Sequence, residues 1–166
     1  MDLKTKLTIS NYKVRFFTKT KLIPQKIYYD SVKVLIFASG VKEDGSWINA
    51  TGIKTFEKIQ LVKSFVQRCL ECVIIEEKID SIFLSRKCKS KYNMASLLKN
   101  CQAYSDLFRI VYDNENNGSV IYLLPHLKGM PSLNLFYTGS VTSMGSNCIE
   151  HVNLIHSVVR HVYEET

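Results

Sequence analysis

The segment Val34-Leu35-Ile36-Phe37-Ala38-Ser39-Gly40 returns later in the chain as Leu133-Asn134-Leu135-Phe136-Tyr137-Thr138-Gly139. Each copy is an apolar run carrying Phe that closes on a small polar residue and glycine. This suits a central strand entering a tight turn, because glycine accepts backbone dihedrals that other residues resist. Each copy then passes through a second short strand and another glycine into an amphipathic helix. A strand, strand, helix unit that occurs twice implies an internal pseudo-dyad. At 166 residues the chain can bury a real core but has room for only one compact domain or two small halves. The expectation is one pseudo-symmetric α+β domain made of repeats 1–72 and 73–166.

Residues 7–18 alternate apolar and polar side chains as a half-buried strand does, with Ile9, Tyr12, Val14 and Phe16 approximately in one phase and Asn11, Lys13 and Arg15 in the other. After the turn-prone Pro24, strands are expected at 26–29 and 32–38. A polar hairpin loop follows at 42–46, and 47–51 returns as a strand closed by Gly52. Between 54 and 70, Phe56, Ile59, Val62, Phe65, Val66 and Cys69 recur at helical spacing, with Lys58, Lys63 and Gln67 opposite them. The pattern then predicts a strand over 73–85, a short helix over 93–101, and strands at 107–112 and 119–124 around the turn-rich 113–118. A second long helix is expected over 148–164, with Ile149, Val152, Ile155, Val158, Val159 and Val162 on one face.

Lys and Arg exceed Asp and Glu by 22 to 15, a net charge of +7, which favours polyanionic partners through counterion release. Lys4, Lys6, Lys13, Arg15, Lys19, Lys21, Lys26 and Lys33 load the amino end, and Arg86, Lys87, Lys89 and Lys91 form a second cluster. The plainer reading of both is a soluble basic surface. Five cysteines without an export signal point to reduced thiols. Cys69 and Cys72 have CxxC spacing, but no second pair completes a tetrahedral zinc set, so they read as small buried hydrophobes. His151, His156 and His161 recur every five residues, which spreads them around a helix. With no long uncharged apolar stretch and no apolar leader at the start, a soluble intracellular protein is expected. A glycine-rich phosphate loop, a nucleophile elbow and a paired acid and base are all missing from the sequence, so neither catalysis nor a cofactor is expected.

The order of these segments resembles the core of the TATA-box-binding protein (TBP) family. Leu35-Ile36-Phe37-Ala38-Ser39-Gly40 followed by Ala50-Thr51-Gly52-Ile53-Lys54 matches that family's LIF-x-SG and T-G-A-K elements. The second copy is looser: Leu135-Phe136-Tyr137-Thr138-Gly139 precedes Ser143-Met144-Gly145-Ser146, with Met144 where the family has threonine. Ser10-Asn11-Tyr12 and Lys78-Ile79-Asp80-Ser81-Ile82 resemble the openings of the two repeats, and residues 103–112 resemble the family's Y-x-P-E-L-F-P-G-L-I-Y segment. No single piece is specific; their shared order is, and it spans nearly the whole chain.

The resemblance implies a saddle: a curved ten-strand antiparallel sheet with its concave face on the DNA minor groove and two long helices on the convex face. It implies DNA contacts by Asn11, Lys13, Arg15, Phe37 and Thr51 in the first copy and by Ser81, Phe83, Phe108, Phe136 and Thr142 in the second. Phenylalanine wedges work by replacing part of the stacking lost when a base step is pried open. Phe108 and Phe136 match one wedge pair, while Phe37 lacks a phenylalanine partner and has only Leu22 or Ile23 nearby. Buried core is the ordinary alternative for all of these rings. Asn11 fills one of the family's two central asparagine positions and Ser81 the other; both side chains can donate to the acceptors of A·T pairs. The implied partners are A·T-rich double-stranded promoter DNA, transcription factor IIA-like or IIB-like proteins and RNA polymerase machinery, in the nucleus or a cytoplasmic site of transcription. The lengthened 41–46 and 113–130 segments suggest dedicated partners. The competing expectation is a TBP-fold scaffold within a transcription complex that has lost DNA binding.

Overall fold

A computed structural model describes residues 6–38, 44–114 and 119–164. Contacts divide the chain into two compact units, Asn11–Ile82 and Met1–Ser10 with Phe83–Thr166. The two cuts fall after residues 10 and 82. Nine strands are formed by the described residues, where the resemblance implied ten. Residues 74–86 hold no Gly, Pro or Asn to break them, and they run as a single 13-residue strand.

In the Asn11–Ile82 unit, β1 (Thr8–Thr18), β2 (Gln25–Tyr29), β3 (Val32–Ala38) and β4 (Ser46–Ile53) precede α1 (Phe56–Leu70), and β5 (Ile74–Arg86) begins. The hydrogen-bonded order is β2-β3-β4-β1, with β5 beside β1. Period-two alternation buries Val14, Phe16, Val34, Ile36, Ile48 and Ala50 on one face. α1 covers that face with Ile59, Val62 and Val66, each buried aliphatic side chain contributing about 1.5–3 kcal/mol. Tyr12 meets Phe56 edge-on at 6.4 Å and Tyr29 meets Phe65 at 4.9 Å, which fixes the face the helix lies against. Thr55 caps α1 by accepting from the Lys58 N–H at 3.3 Å. The residues between β1 and β2, Lys19 to Pro24, form no helix. Of the 41–46 loop, 41–43 lie outside the described residues.

In the other unit, α2 (Met94–Cys101) and a 3-10 turn (Gln102–Tyr104) lead into β6 (Phe108–Asp113), β7 (Val120–Pro125), β8 (Ser132–Phe136), β9 (Val141–Ser146) and α3 (Ile149–Val162). The order is β6-β7-β8-β9, with β5 next to β9. Ile121, Leu123, Leu133, Leu135 and Val141 are buried, as are Val152, Ile155, Val158, Val159 and Val162 of α3. Asn100 of α2 donates to the Val162 carbonyl at 3.0 Å and ties the two helices together. Of the 113–130 segment, 115–118 lie outside the described residues; the rest supplies β7 and its flanking turns.

Candidate nucleic-acid interface

Each unit leaves uncovered the strand face opposite its helix. In Asn11–Ile82 the strand register assembles three cross-strand rows on that face. Lys26, Leu35, Asn49 and Arg15 are successive partners; Phe37, Trp47 and Phe17 form a second row, and Tyr28, Lys33 and Thr51 a third. Phe37 is 46% exposed, and the Phe17 and Trp47 rings lie 4.9 Å apart. Trp47, Phe17 and Asn49 were missed in the sequence, although alternation over 47–51 already places Trp47 and Asn49 with Thr51.

Asn11 is held where β1 and β4 slip out of register. Tyr12 pairs Ile53 while Val14 pairs Ala50, so Lys13 opposes both Thr51 and Gly52. Gly52 takes φ +93 in this bulge, a conformation that L side chains resist, and its N–H donates to Asn11 Oδ1 at 2.8 Å. That bond fixes the amide orientation and leaves Nδ2 as the donating end. Arg15 is less available than expected. Its Nη2 pairs with Asp80 Oδ2 at 3.0 Å, and its guanidinium lies over Trp47 at 5.4 Å. The phase of β5 changes near Ser81: Glu77 bonds to Gln60 and Lys63 of α1, Asp80 meets Arg15, and from Ile82 onward the even positions are buried. Ser81 is half-buried.

In the other unit the uncovered face carries Phe83 of β5 and three rows. Val111, Tyr122, Asn134 and Thr142 form the first, Asp113, Val120 and Phe136 the second, and Ser132 with Met144 the third. Thr142 is exposed and accepts from Asn134 Nδ2 at 3.1 Å; Phe136 and Phe83 are half-buried. The turn after Phe136 is closed by the Gly139 N–H donating to the Phe136 carbonyl at 3.0 Å, a carbonyl that also accepts from the Tyr163 hydroxyl at 2.8 Å. Phe108 does not reach this face. It is 1% exposed and belongs to the core, because β6 turns Phe108 inward and exposes Arg109. Arg86 is likewise not part of a surface cluster: it is 5% exposed, and its Nε donates to the Gly139 carbonyl at 2.8 Å.

Cys72 is buried and Cys69 exposed; burial pushes the Cys72 thiol up from its ordinary range, against a hydrogen bond with Thr18. Among the described residues no group of three or more His, Cys, Asp or Glu side chains gathers to hold a metal, and no helix is long and apolar enough to cross a membrane.

No protein-family model matches the sequence, and no curated protein sequence is similar to it. Among solved structures, the TBP of Methanococcus jannaschii matches 97% of this chain and 99% of its own, with a TM-score of 0.65 at 17% identity. At that identity the likeness concerns the fold, and the chain has a TBP-like fold.

Proposed function

We propose, from this TBP-like fold, that the chain is a non-catalytic transcription initiation factor that binds promoter DNA in the minor groove. The observation that carries the reading is the uncovered strand face of each unit, where a partly exposed phenylalanine, Phe37 or Phe136, stands among hydrogen-bonding side chains, with Lys26 and Lys33 sharing the face of Phe37. Such rings can be wedged between base steps, and an asparagine such as Asn11, with its nitrogen left to donate, suits the acceptor-only edge of A·T pairs. Ile23, two residues before β2, is 78% exposed. It serves as the aliphatic partner wedge of Phe37. The helix-bearing faces and the lengthened segments are where IIA-like or IIB-like partners and polymerase components would dock, at a nuclear or cytoplasmic site of transcription.

Two observations favour the competing scaffold role: Asp80 neutralises Arg15, and Phe108 is withdrawn from its expected wedge position. Equilibrium titration against A·T-rich and G·C-rich duplexes over a salt series separates the two. Tighter binding to the A·T-rich duplex, weakening steeply with salt, supports the initiation factor. Absence of binding to either duplex at low salt leaves the scaffold.

A further inference from the structure

Downstream of β5, the backbone of residues 87–92 stays extended and is bonded along one edge to the turn that follows Phe136. The Cys88 N–H donates to Ser140 Oγ at 3.0 Å, the Ser90 N–H to the Thr138 carbonyl at 3.0 Å, and the Tyr92 N–H to the Tyr137 carbonyl at 2.8 Å. Ser140 Oγ donates back to the Cys88 carbonyl at 3.1 Å. The segment lies flat on Gly139, where any Cβ would come within 2.8 Å of Tyr92 Cε2 and 3.0 Å of Cys88 Sγ. Alternation therefore turns Cys88, Ser90 and Tyr92 toward the protein and sets out Lys87, Lys89 and Lys91, all three exposed. Arg15, Lys58 and Lys63 each have a carboxylate within 4.0 Å, but these three lysines make no ion pair or hydrogen bond among the described residues.

We infer that Lys87, Lys89 and Lys91 form a track that contacts the backbone phosphates of a bound duplex. The inference rests on the DNA-binding reading above and adds the source of its salt dependence in this unit. Three cations on a pinned, extended segment repeat at about 6.6 Å, twice the rise of a strand residue. That repeat is on the order of the through-space separation of neighbouring phosphates along one DNA strand, so successive lysines are spaced for successive phosphates. Because the hydrogen bonds already order the backbone, binding need immobilise only the side chains. The track starts at the turn next to Phe136, so a duplex engaged by that ring has its backbone within reach. Phosphate contacts carry no base information, and the contribution is the same on any sequence.

The test compares the triple variant K87A/K89A/K91A, the triple arginine variant K87R/K89R/K91R and F136A with the wild type, on A·T-rich and G·C-rich duplexes from 50 to 200 mM salt. The alanine variant is expected to lose about 2.7 from the slope of log K against log salt, at about 0.9 per phosphate. The wild type then loses about 40-fold more affinity over that range than the variant does. The loss is equal on both duplexes, and the arginine variant restores the slope. If the alanine variant keeps the wild-type slope while F136A still lowers preference for the A·T-rich duplex, the lysine track is wrong and DNA binding stands. If the wild type binds neither duplex at 50 mM salt, both fail together.

Discussion

Replacing Gly139 by alanine tests whether the turn after Phe136 is a rigid support for the uncovered face. The backbone there has φ +90, where a side chain costs about 1–2 kcal/mol. The added methyl would also sit 2.8 Å from Tyr92 Cε2 and 3.0 Å from Cys88 Sγ, inside van der Waals contact. Tyr92 has little room to retreat, since its ring packs edge-on against Tyr163 at 4.8 Å, so it must leave its rotamer at about 0.5–1.5 kcal/mol. The sum is about 2.5 kcal/mol, which lowers Tm by roughly 5–10 °C for a domain of this size. Gly129→Ala is the matched control. Its φ is +92 but nothing lies within 4 Å of the added atom, so only the backbone strain applies, worth roughly 3–6 °C. Thermal unfolding followed by circular dichroism measures both. A Gly139→Ala variant no less stable than Gly129→Ala would refute the packing argument.

Asp80→Asn should release Arg15 and steepen the salt dependence of duplex binding by about 0.9, with a stability change under about 1 kcal/mol because the pair is partly solvated; an unchanged slope in the titration would show that Arg15 never meets phosphate. Phe108→Ala should cost about 3–5 kcal/mol in urea unfolding, as a truncation in the core does, whereas the 46% exposed Phe37 should cost far less when truncated and act on DNA bending instead. Burial raises the Cys101 thiol from its ordinary 9.0 to about 11, so its contribution to stability is whole below pH 9 and is lost as pH rises through about 11. Thiol labelling at pH 8 should modify the exposed Cys69 quickly and Cys101 only on unfolding; equal rates would contradict its burial.

The elements were legible where periodicity was strong. Alternation from Tyr12 to Thr18 and the apolar stripe Ile59, Val62, Val66 mark a strand and a helix because one face of each must be dry. Phe108 could not be placed that way: among the described residues β6 is an edge strand beside β7, and a short apolar run at a sheet edge does not say which phase turns inward. The Arg15 to Asp80 pair was hidden because it joins strands distant in sequence, and the phase change near Ser81 removes the alternation that would have placed Asp80. The basic cluster at 86–91 was visible as composition. Its division into a buried Arg86 and three outward lysines depends on the hydrogen bonds to residues 137–140, which no local pattern encodes.

The central claim is that partly exposed phenylalanines on the uncovered strand faces act as wedges in a DNA minor groove. Energy transfer between dyes at the two ends of an A·T-rich duplex measures it most directly. The wild type should shorten the end-to-end distance on binding, and Phe37→Ala and Phe136→Ala should each reduce that bend, more than they weaken affinity for a pre-bent duplex. A duplex that stays straight when bound, or a bend unchanged by both substitutions, would contradict the account.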